Sequence, residues 1–309
     1  MRAVIQRSLG GPEVLEIAEV DVPRPASGQV LVRVEATGFC PADWKVRAGH
    51  VRWFGDPPFT LGHEFSGVVV ERGADVRRFT AGDEVFGWTT PPHGSHAQYV
   101  AVPETSVAAK PPTVDHAHTA ALPIAGLTAL GALVDIAQIH AGQRVLVHGA
   151  AGGVGHLAVQ IAKAHGAHVI ATARTAKHPY LRDLGVDELV DYTRTDFASL
   201  RNVDVVLDTV SNDYGPRSLA TLAPGGILVD VVGVGVDRTP VKEQAAAAGL
   251  RFAELSLEPT PDSLARLAEL ADRGTLSATV LETLPLTEAA RAHELSESGR
   301  VLGKLVLVP

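Results

Sequence analysis

Cysteine, positive charge and long apolar runs are scarce in this sequence. One cysteine in 309 residues excludes an intramolecular disulfide bond and is typical of a reducing compartment. The formal net charge of -8, with no basic run to offset it, argues against a nucleic-acid-binding surface. Residues 1–15 lack the apolar block of a secretory signal peptide, so we expect a cytoplasmic protein.

The most apolar stretch, residues 120–134, contains Pro123 and is too short to span a membrane. It predicts a buried helix instead. Hydrophobic residues make up 46% of the chain and charged residues 20%, which is ordinary for a globular protein. A chain of this length can bury a large core, and we expect about two domains.

A glycine cluster dominates residues 144–174. An apolar run at 145–147 predicts a buried strand, and the glycine-rich residues 149–155 follow it. A stretch with helical spacing then leads to a second apolar run at 169–170. This strand–turn–helix–strand order predicts a dinucleotide-binding unit, although Ala150 stands at the first glycine position of the usual fingerprint. The glycines let backbone amides approach a pyrophosphate, which the helix N-terminus then faces.

The predicted secondary structure changes near residue 119. Residues 1–118 contain short apolar strands between proline and glycine turns, which is typical of a barrel-like antiparallel domain. Beyond them, helices alternate with strands, which predicts a doubly wound parallel sheet. Its six predicted strands are at 145–147, 169–170, 189–190, 203–208, 227–232 and 252–255. We also predict a helix at 261–271 and a final strand at 303–308 that returns to the first domain.

Several motifs occur in a fixed order along nearly the whole chain. They are GFCPADWKVRAG (38–49), LGHEFSGVV (61–69), GDEVFG (82–87), GSHAQY (94–99), ALPIAGLTA (121–129), the glycine turn and GK (303–304). In this order they resemble the medium-chain dehydrogenase/reductase superfamily, and most closely its zinc-independent quinone oxidoreductase branch. The resemblance implies an α/β protein with two domains. One is a GroES-like β-rich catalytic domain at 1–118, completed by 259–309. The other is a Rossmann domain at 119–258 with a doubly wound parallel six-stranded sheet. It also implies a nicotinamide held between the two domains, and a homodimer that pairs along residues 251–257.

The sequence departs from the zinc-dependent relatives. A single cysteine excludes their four-cysteine structural zinc lobe. Cys40 and His63 match the first two positions of their catalytic zinc site, but Ile124 aligns with the third. Catalytic zinc needs three protein ligands, which Cys40, His63 and Glu64 can supply in principle. We nevertheless expect no bound metal. In that case Cys40 is a small apolar residue of the pocket, and His63 either donates to the substrate or is hydrogen-bonded within its loop.

The end of the second Rossmann strand predicts NADP(H) as the cofactor. Ala173 stands where NAD-dependent enzymes place an acid, and Arg174, Thr175 and Lys177 follow it. These side chains can bind a 2′-phosphate. Alternatively, Arg174 and Lys177 are solvated charges at the start of a helix. The remaining residues that the resemblance assigns to the cofactor are Thr128, Ala150, Gly152, Gly153, Val154, Gly155, Val232, Gly233 and Val234.

Without a Lewis acid, hydride transfer suits conjugated acceptors such as quinones and α,β-unsaturated carbonyl compounds, including enoyl substrates. We expect Lys45 and His63 as candidate proton donors, although no carboxylate stands at an obvious spacing from either. The predicted substrate-pocket residues are Cys40, Trp44, Trp53, Phe54 and Trp88. Only 5% of the chain is aromatic, so such a cluster suits a flat substrate, or else packs within the core, above all at Trp44.

Three hypotheses about function remain open on the sequence alone. The first is an NADPH-dependent reductase of quinones or enones. The second is an alcohol dehydrogenase or carbonyl reductase of the same superfamily. The third is a non-catalytic NADPH-binding sensor.

Overall fold

The computed structural model describes residues 1–89, 92–232 and 236–309. The chain divides into two compact units, a first unit of Met1–Leu127 with Pro259–Pro309 and a second unit of Thr128–Glu258. The second unit begins at Thr128, later in the chain than residue 119, where the sequence predicts the boundary. Within the described part of the chain, no helix is both long enough and apolar enough to cross a membrane.

The secondary structure is mixed. The strands are β1 (Arg2–Gln6), β2 (Leu15–Glu19), β3 (Gln29–Phe39), β4 (Phe59–Thr60), β5 (Glu64–Arg72), β6 (Glu84–Trp88), β7 (Tyr99–Pro103), β8 (Val107–Ala109), β9 (Arg144–Val147), β10 (His168–Thr172), β11 (Glu188–Val190), β12 (Val203–Asp208), β13 (Leu222–Asp230), β14 (Arg251–Glu254), β15 (Val280–Pro285) and β16 (Lys304–Val308). The α-helices are α1 (Pro41–Arg47), α2 (His116–Ala120), α3 (Pro123–Leu130), α4 (Gly153–Ala164), α5 (His178–Asp183), α6 (Tyr214–Leu219), α7 (Thr239–Ala247), α8 (Pro261–Asp272) and α9 (Ala289–Glu297).

The first unit is built around the long strand β3. A small sheet has the order β2-β1-β4, and a larger mixed sheet has the order β15-β16-β3-β5-β6-β8, with β7 also paired to β3. Alternate residues of β3 point into a buried cluster that includes Val30, Val32 and Phe65. The pairing of β16 with β3 confirms that the final strand returns to this unit. The sequence analysis missed β15, which pairs in parallel with β16.

The second unit contains one parallel sheet with the strand order β11-β10-β9-β12-β13-β14. This is the doubly wound order, so the predicted Rossmann fold and its six strands are confirmed. The central strand β9 is fully buried at Val145, Leu146 and Val147, as expected for a strand covered on both faces. Only β13 departs clearly from its prediction: it begins at Leu222 and ends at Asp230.

The apolar stretch at 120–134 is buried but is not one helix. Helix α2 ends at Ala120, α3 begins at Pro123, and a π-helix continues from Gly131 to Ile136. Proline has no N–H to continue the preceding helix, and its fixed φ suits the first turn of a new one. The prediction of a single helix was therefore wrong, because Pro123 begins a new helix.

Candidate active site

The glycine turn of the second unit is shaped for close backbone approach. Gly149 has a φ of +57°, and a Cβ atom there would lie 2.5 Å from Thr209 Oγ1. A Cβ on Gly155 would lie 2.4 Å from the carbonyl oxygen of Gly149. Helix α4 begins at Gly153, and its N-cap, Gly152, supplies no side-chain cap. The first amides of α4 therefore lack partners within the helix, which fits the pyrophosphate of a dinucleotide.

Two residues predicted to bind the cofactor have other partners. Ala150 is buried, and its N–H donates to the carbonyl oxygen of Thr172 at 3.3 Å. The N–H of Val232 donates to Asp230 Oδ1 at 2.9 Å. Thr128 is buried on α3. The predicted residues Gly233 and Val234 lie outside the described residues.

Basic side chains gather after β10, where the sequence predicts the 2′-phosphate site. Arg174 Nε donates to the hydroxyl of Tyr192 at 3.1 Å. Burial and the Arg174 charge lower the pKa of Lys177. Thr175 is engaged elsewhere, since its N–H donates to Asp191 at 2.8 Å and its hydroxyl also donates to that carboxylate. Arg174 and Lys177 therefore remain the better candidates for a phosphate.

The sequence analysis missed Tyr192. It follows β11, which pairs in parallel with β10. The carboxyl ends of neighbouring parallel strands meet at one edge of a sheet, so this position was open to prediction from the strand order.

Asp43 is buried and pairs with His63, which is 12% exposed, in the first unit. Asp43 Oδ1 accepts hydrogen bonds from His63 Nδ1 at 2.9 Å and from the N–H of Gly62 at 3.0 Å, and Oδ2 accepts from the N–H of Cys40 at 2.9 Å. Burial lowers the pKa of His63, but the Asp43 carboxylate and the Cys40 sulfur outweigh it, and the net shift is well upward from the ordinary value. The raised pKa favours the imidazolium form of His63.

Two of the predicted pocket aromatics pack against His63. The ring centroids of Trp53 and Phe54 lie 5.9 and 5.3 Å from the imidazole, both nearly perpendicular to it. Phe54 is buried, whereas Trp53 is 49% exposed. The Nε2 atom of His63 is buried and has no hydrogen-bond partner in the part of the chain that is described. The site therefore offers a polar N–H beside an apolar wall.

The other predicted residues of this site are more scattered. Trp44 packs edge-on against His50 at 5.9 Å and joins the core cluster around Phe39. Trp88 ends β6 opposite Glu64, and Lys45 is half-buried on α1. Cys40 Sγ lies 3.9 Å from His63 Nδ1, and burial raises the pKa of its thiol.

Glu64, which the sequence offers as a third zinc ligand, is engaged with other groups. Glu64 is fully buried: its Oε1 pairs with Lys304, and its Oε2 accepts the N–H of Ile124 at 2.7 Å. Cys40, Asp43 and His63 offer ligand atoms within 4.8 Å of one another. However, Asp43 already accepts three hydrogen bonds, and one of them comes from the His63 nitrogen that lies near Cys40. Among the described residues, a zinc ion at Cys40, Asp43 and His63 would therefore have to replace these hydrogen bonds.

A GroES-like β-rich unit and a Rossmann unit with this glycine turn define a two-unit dehydrogenase/reductase. Residues 26–112 match the family model described as alcohol dehydrogenase GroES-like domain. Residues 184–307 match the model described as zinc-binding dehydrogenase. The chain belongs to the medium-chain dehydrogenase/reductase superfamily, in its quinone oxidoreductase-like branch.

Relatives match along the whole chain. The quinone oxidoreductase of Mus musculus is 31% identical, over 100% of this chain and 98% of its own length. The solved structure of a quinone oxidoreductase from Coxiella burnetii has a TM-score of 0.95 at 35% identity, covering 100% of this chain and 99% of that one. The Escherichia coli quinone oxidoreductase complexed with NADPH has a TM-score of 0.89 at 28% identity, covering 100% of both chains.

Proposed function

We propose that the protein is an NADPH-dependent oxidoreductase that reduces a quinone or an α,β-unsaturated carbonyl compound without zinc. The observation that carries the proposal is the state of two neighbouring residues, His63 and Glu64. The raised pKa of His63 favours an imidazolium that can donate a proton, and Glu64 is withdrawn from metal binding by Lys304. A site with a proton donor and no Lewis acid suits an acceptor that is already conjugated.

The second unit supports a nicotinamide dinucleotide as the reductant. The glycine turn and the free amides of α4 suit a pyrophosphate, and a relative of the same fold was solved with NADPH. Arg174 and Lys177 favour the 2′-phosphate form, because a guanidinium can bind phosphate oxygens with two parallel hydrogen bonds. No acidic side chain stands at Ala173 to repel that phosphate.

The bound cofactor would supply a hydride to the electron-poor carbon of the substrate. In a conjugated acceptor the displaced electron pair then resides on oxygen. His63 donates its Nε2 proton to that oxygen, so an N–H bond breaks and an O–H bond forms. Asp43 holds the ring by its Nδ1–H throughout and stabilises the positive charge before transfer. Trp53 and Phe54 pack edge-on against the imidazole.

The experiment measures NADPH oxidation with a quinone, an enone, a saturated ketone and an aldehyde, before and after dialysis against EDTA. We expect turnover of the quinone or the enone, undiminished by chelation, and well under one zinc per chain by metal analysis. Stoichiometric zinc, with activity lost on chelation and restored by zinc, would favour an alcohol dehydrogenase. Binding of NADPH with no turnover of any acceptor would favour a sensor.

A further inference from the structure

Two acidic side chains end neighbouring strands beside the glycine turn. Asp208 ends β12 and Asp230 ends β13, and the two residues are paired in register. Next to Asp208, the hydroxyl of Thr209 donates to the carbonyl oxygen of His148 at 2.7 Å. The same hydroxyl oxygen lies where a Cβ on Gly149 would meet it. Asp208 therefore directly precedes Thr209, whose hydroxyl contacts the turn that fits a pyrophosphate.

Among the described residues, Arg238 is the cation beside these two buried carboxylates. Asp208 is 0% exposed and Asp230 is 4% exposed. Arg238 Nη2 donates to Asp230 Oδ1 at 2.8 Å, which gives Asp230 a counter-charge. Asp208 Oδ1 accepts the N–H groups of Val210 and Ser211 at 2.8 Å each. Its Oδ2, in contrast, has no hydrogen-bond partner among the residues described.

An ionised carboxylate that is buried without a counter-charge is costly, and a bound proton removes that cost. Burial raises the pKa of Asp208; its two backbone hydrogen bonds oppose the rise, and the Asp230 carboxylate adds to it. The other titratable or charged groups around the pair are Arg238 before α7, Glu254 on β14 and Tyr214 on α6. Within this group Asp208 is the side chain best placed to gain a proton.

We propose that Asp208 takes up a proton when an anionic dinucleotide binds at the glycine turn, so that cofactor affinity falls as the pH rises. The inference rests on the proposed function, because it requires a pyrophosphate at the turn. A pyrophosphate close to Asp208 disfavours the carboxylate and stabilises the acid. The step forms one O–H bond on Asp208 with a proton from solvent and breaks no bond of the cofactor.

The direction of the pH dependence follows from linkage. The complex holds more protons than the free protein at any pH between the free and the bound pKa of Asp208. The dissociation constant therefore rises with pH across that interval, by at most about tenfold per pH unit. Below both pKa values Asp208 is already protonated, and the dependence vanishes.

Calorimetric titration with NADP⁺ in two buffers of different ionisation enthalpy counts the protons taken up. We compare the natural chain with Asp208→Asn at mildly acidic and neutral pH. The natural chain should take up more protons, and its dissociation constant should rise more steeply with pH. The 2′-phosphate of NADP⁺ also titrates, but its contribution is common to both proteins and cancels in the difference. Asp204→Asn, at the opposite end of β12, should keep the natural proton count.

Three outcomes decide the matter. Equal proton counts for the natural chain and Asp208→Asn would overturn this inference and leave the proposed function standing. No NADP⁺ binding by either protein would overturn the proposed function and the inference with it. Urea unfolding is the second readout: Asp208→Asn should raise the midpoint at neutral pH, because it removes an unpaired buried charge. A lower midpoint would mean that the carboxylate is required, and would also overturn the inference.

Discussion

Two buried carboxylates near His63 have different roles. Asp43 is hydrogen-bonded to His63, and Glu64 is the next residue in the chain. Asp43 accepts hydrogen bonds from the imidazole and from two backbone N–H groups, so it fixes both the orientation and the charge of His63. Glu64 faces Lys304 and the start of α3 instead. The first carboxylate therefore tunes a proton donor, whereas the second holds separate segments of the chain together.

We expect His63→Gln to lower turnover about a hundredfold or more, because it removes a positioned general acid. Turnover of the natural chain should fall on the alkaline side, since the imidazolium is lost as pH rises through the raised pKa of His63. Asp43→Asn should move that loss to lower pH, because the carboxylate that raises the pKa is gone. The measurement is a pH profile of turnover with saturating NADPH.

The matched control is His50→Gln, which changes an exposed histidine that contacts Trp44. It should leave the pH profile unaltered. An alkaline limb that stays in place in Asp43→Asn would show that a different group donates the proton.

At the 2′-phosphate site we expect the double substitution Arg174→Ala with Lys177→Ala to weaken NADPH binding by about 1–3 kcal/mol, the range for charge-assisted hydrogen bonds. NADH binding should change little, because NADH lacks the phosphate. Arg182→Ala, an exposed arginine on α5, is the matched control and should affect neither cofactor. Equal weakening of NADPH and NADH would contradict the assignment.

The sequence predicts some residues of both sites but not others. The motifs predict Cys40 and His63, and the scarcity of aromatic residues points to Trp53 and Phe54. All four lie together in the first unit. Asp43 was missed as the partner of His63 because the two residues are twenty positions apart, at no periodic spacing, and meet only through the fold. The role of Glu64 depends on Lys304, which lies on the far end of the chain.

Among the elements, the turn into α4 is tightly constrained by packing. Gly155→Ala would place a Cβ atom 2.4 Å from the Gly149 carbonyl oxygen, which forces the helix away from the turn. We expect a loss of about 1–3 kcal/mol in the free energy of unfolding, together with loss of NADPH binding. Thermal unfolding and a cofactor titration measure the two effects.

Gly152→Ala is the control within the same turn, because its Cβ would meet only the Gly149 carbonyl oxygen, at 3.3 Å, and its φ of -87° suits any residue. It should unfold close to the temperature of the natural chain. If both substitutions destabilise equally, the close approach at Gly155 is not the cause.

Elements with continuous apolar runs were predictable, and short or exposed ones were not. The inner strands β9, β10 and β12 of the Rossmann sheet are almost wholly buried, so each appears in the sequence as an apolar run. Strand β15 has exposed Leu281 and Thr283 in its middle and gives no such signal. Its place is fixed by the parallel partner β16, which a local pattern cannot reveal.

At the scale of the whole molecule, we predict a homodimer. Strand β14 is the last strand in the order of the Rossmann sheet, and Phe252 and Ala253 on it are half-buried. A second copy pairing along this edge would cover backbone groups that natural proteins seldom leave open. Light scattering at micromolar concentration should report twice the mass of the chain. A monomer at that concentration would contradict the prediction.

The pairing of β16 with β3 has a consequence for biosynthesis. The second unit is one continuous segment, so its sheet can close as soon as residue 258 leaves the ribosome. The first unit begins earlier in the chain but needs β16 beside β3 and Lys304 beside Glu64. Until β16 is made, residues 37–39 of β3 lack a partner strand on that side and Glu64 lacks its counter-charge. The half of the protein that is synthesised first is therefore the half that is completed last.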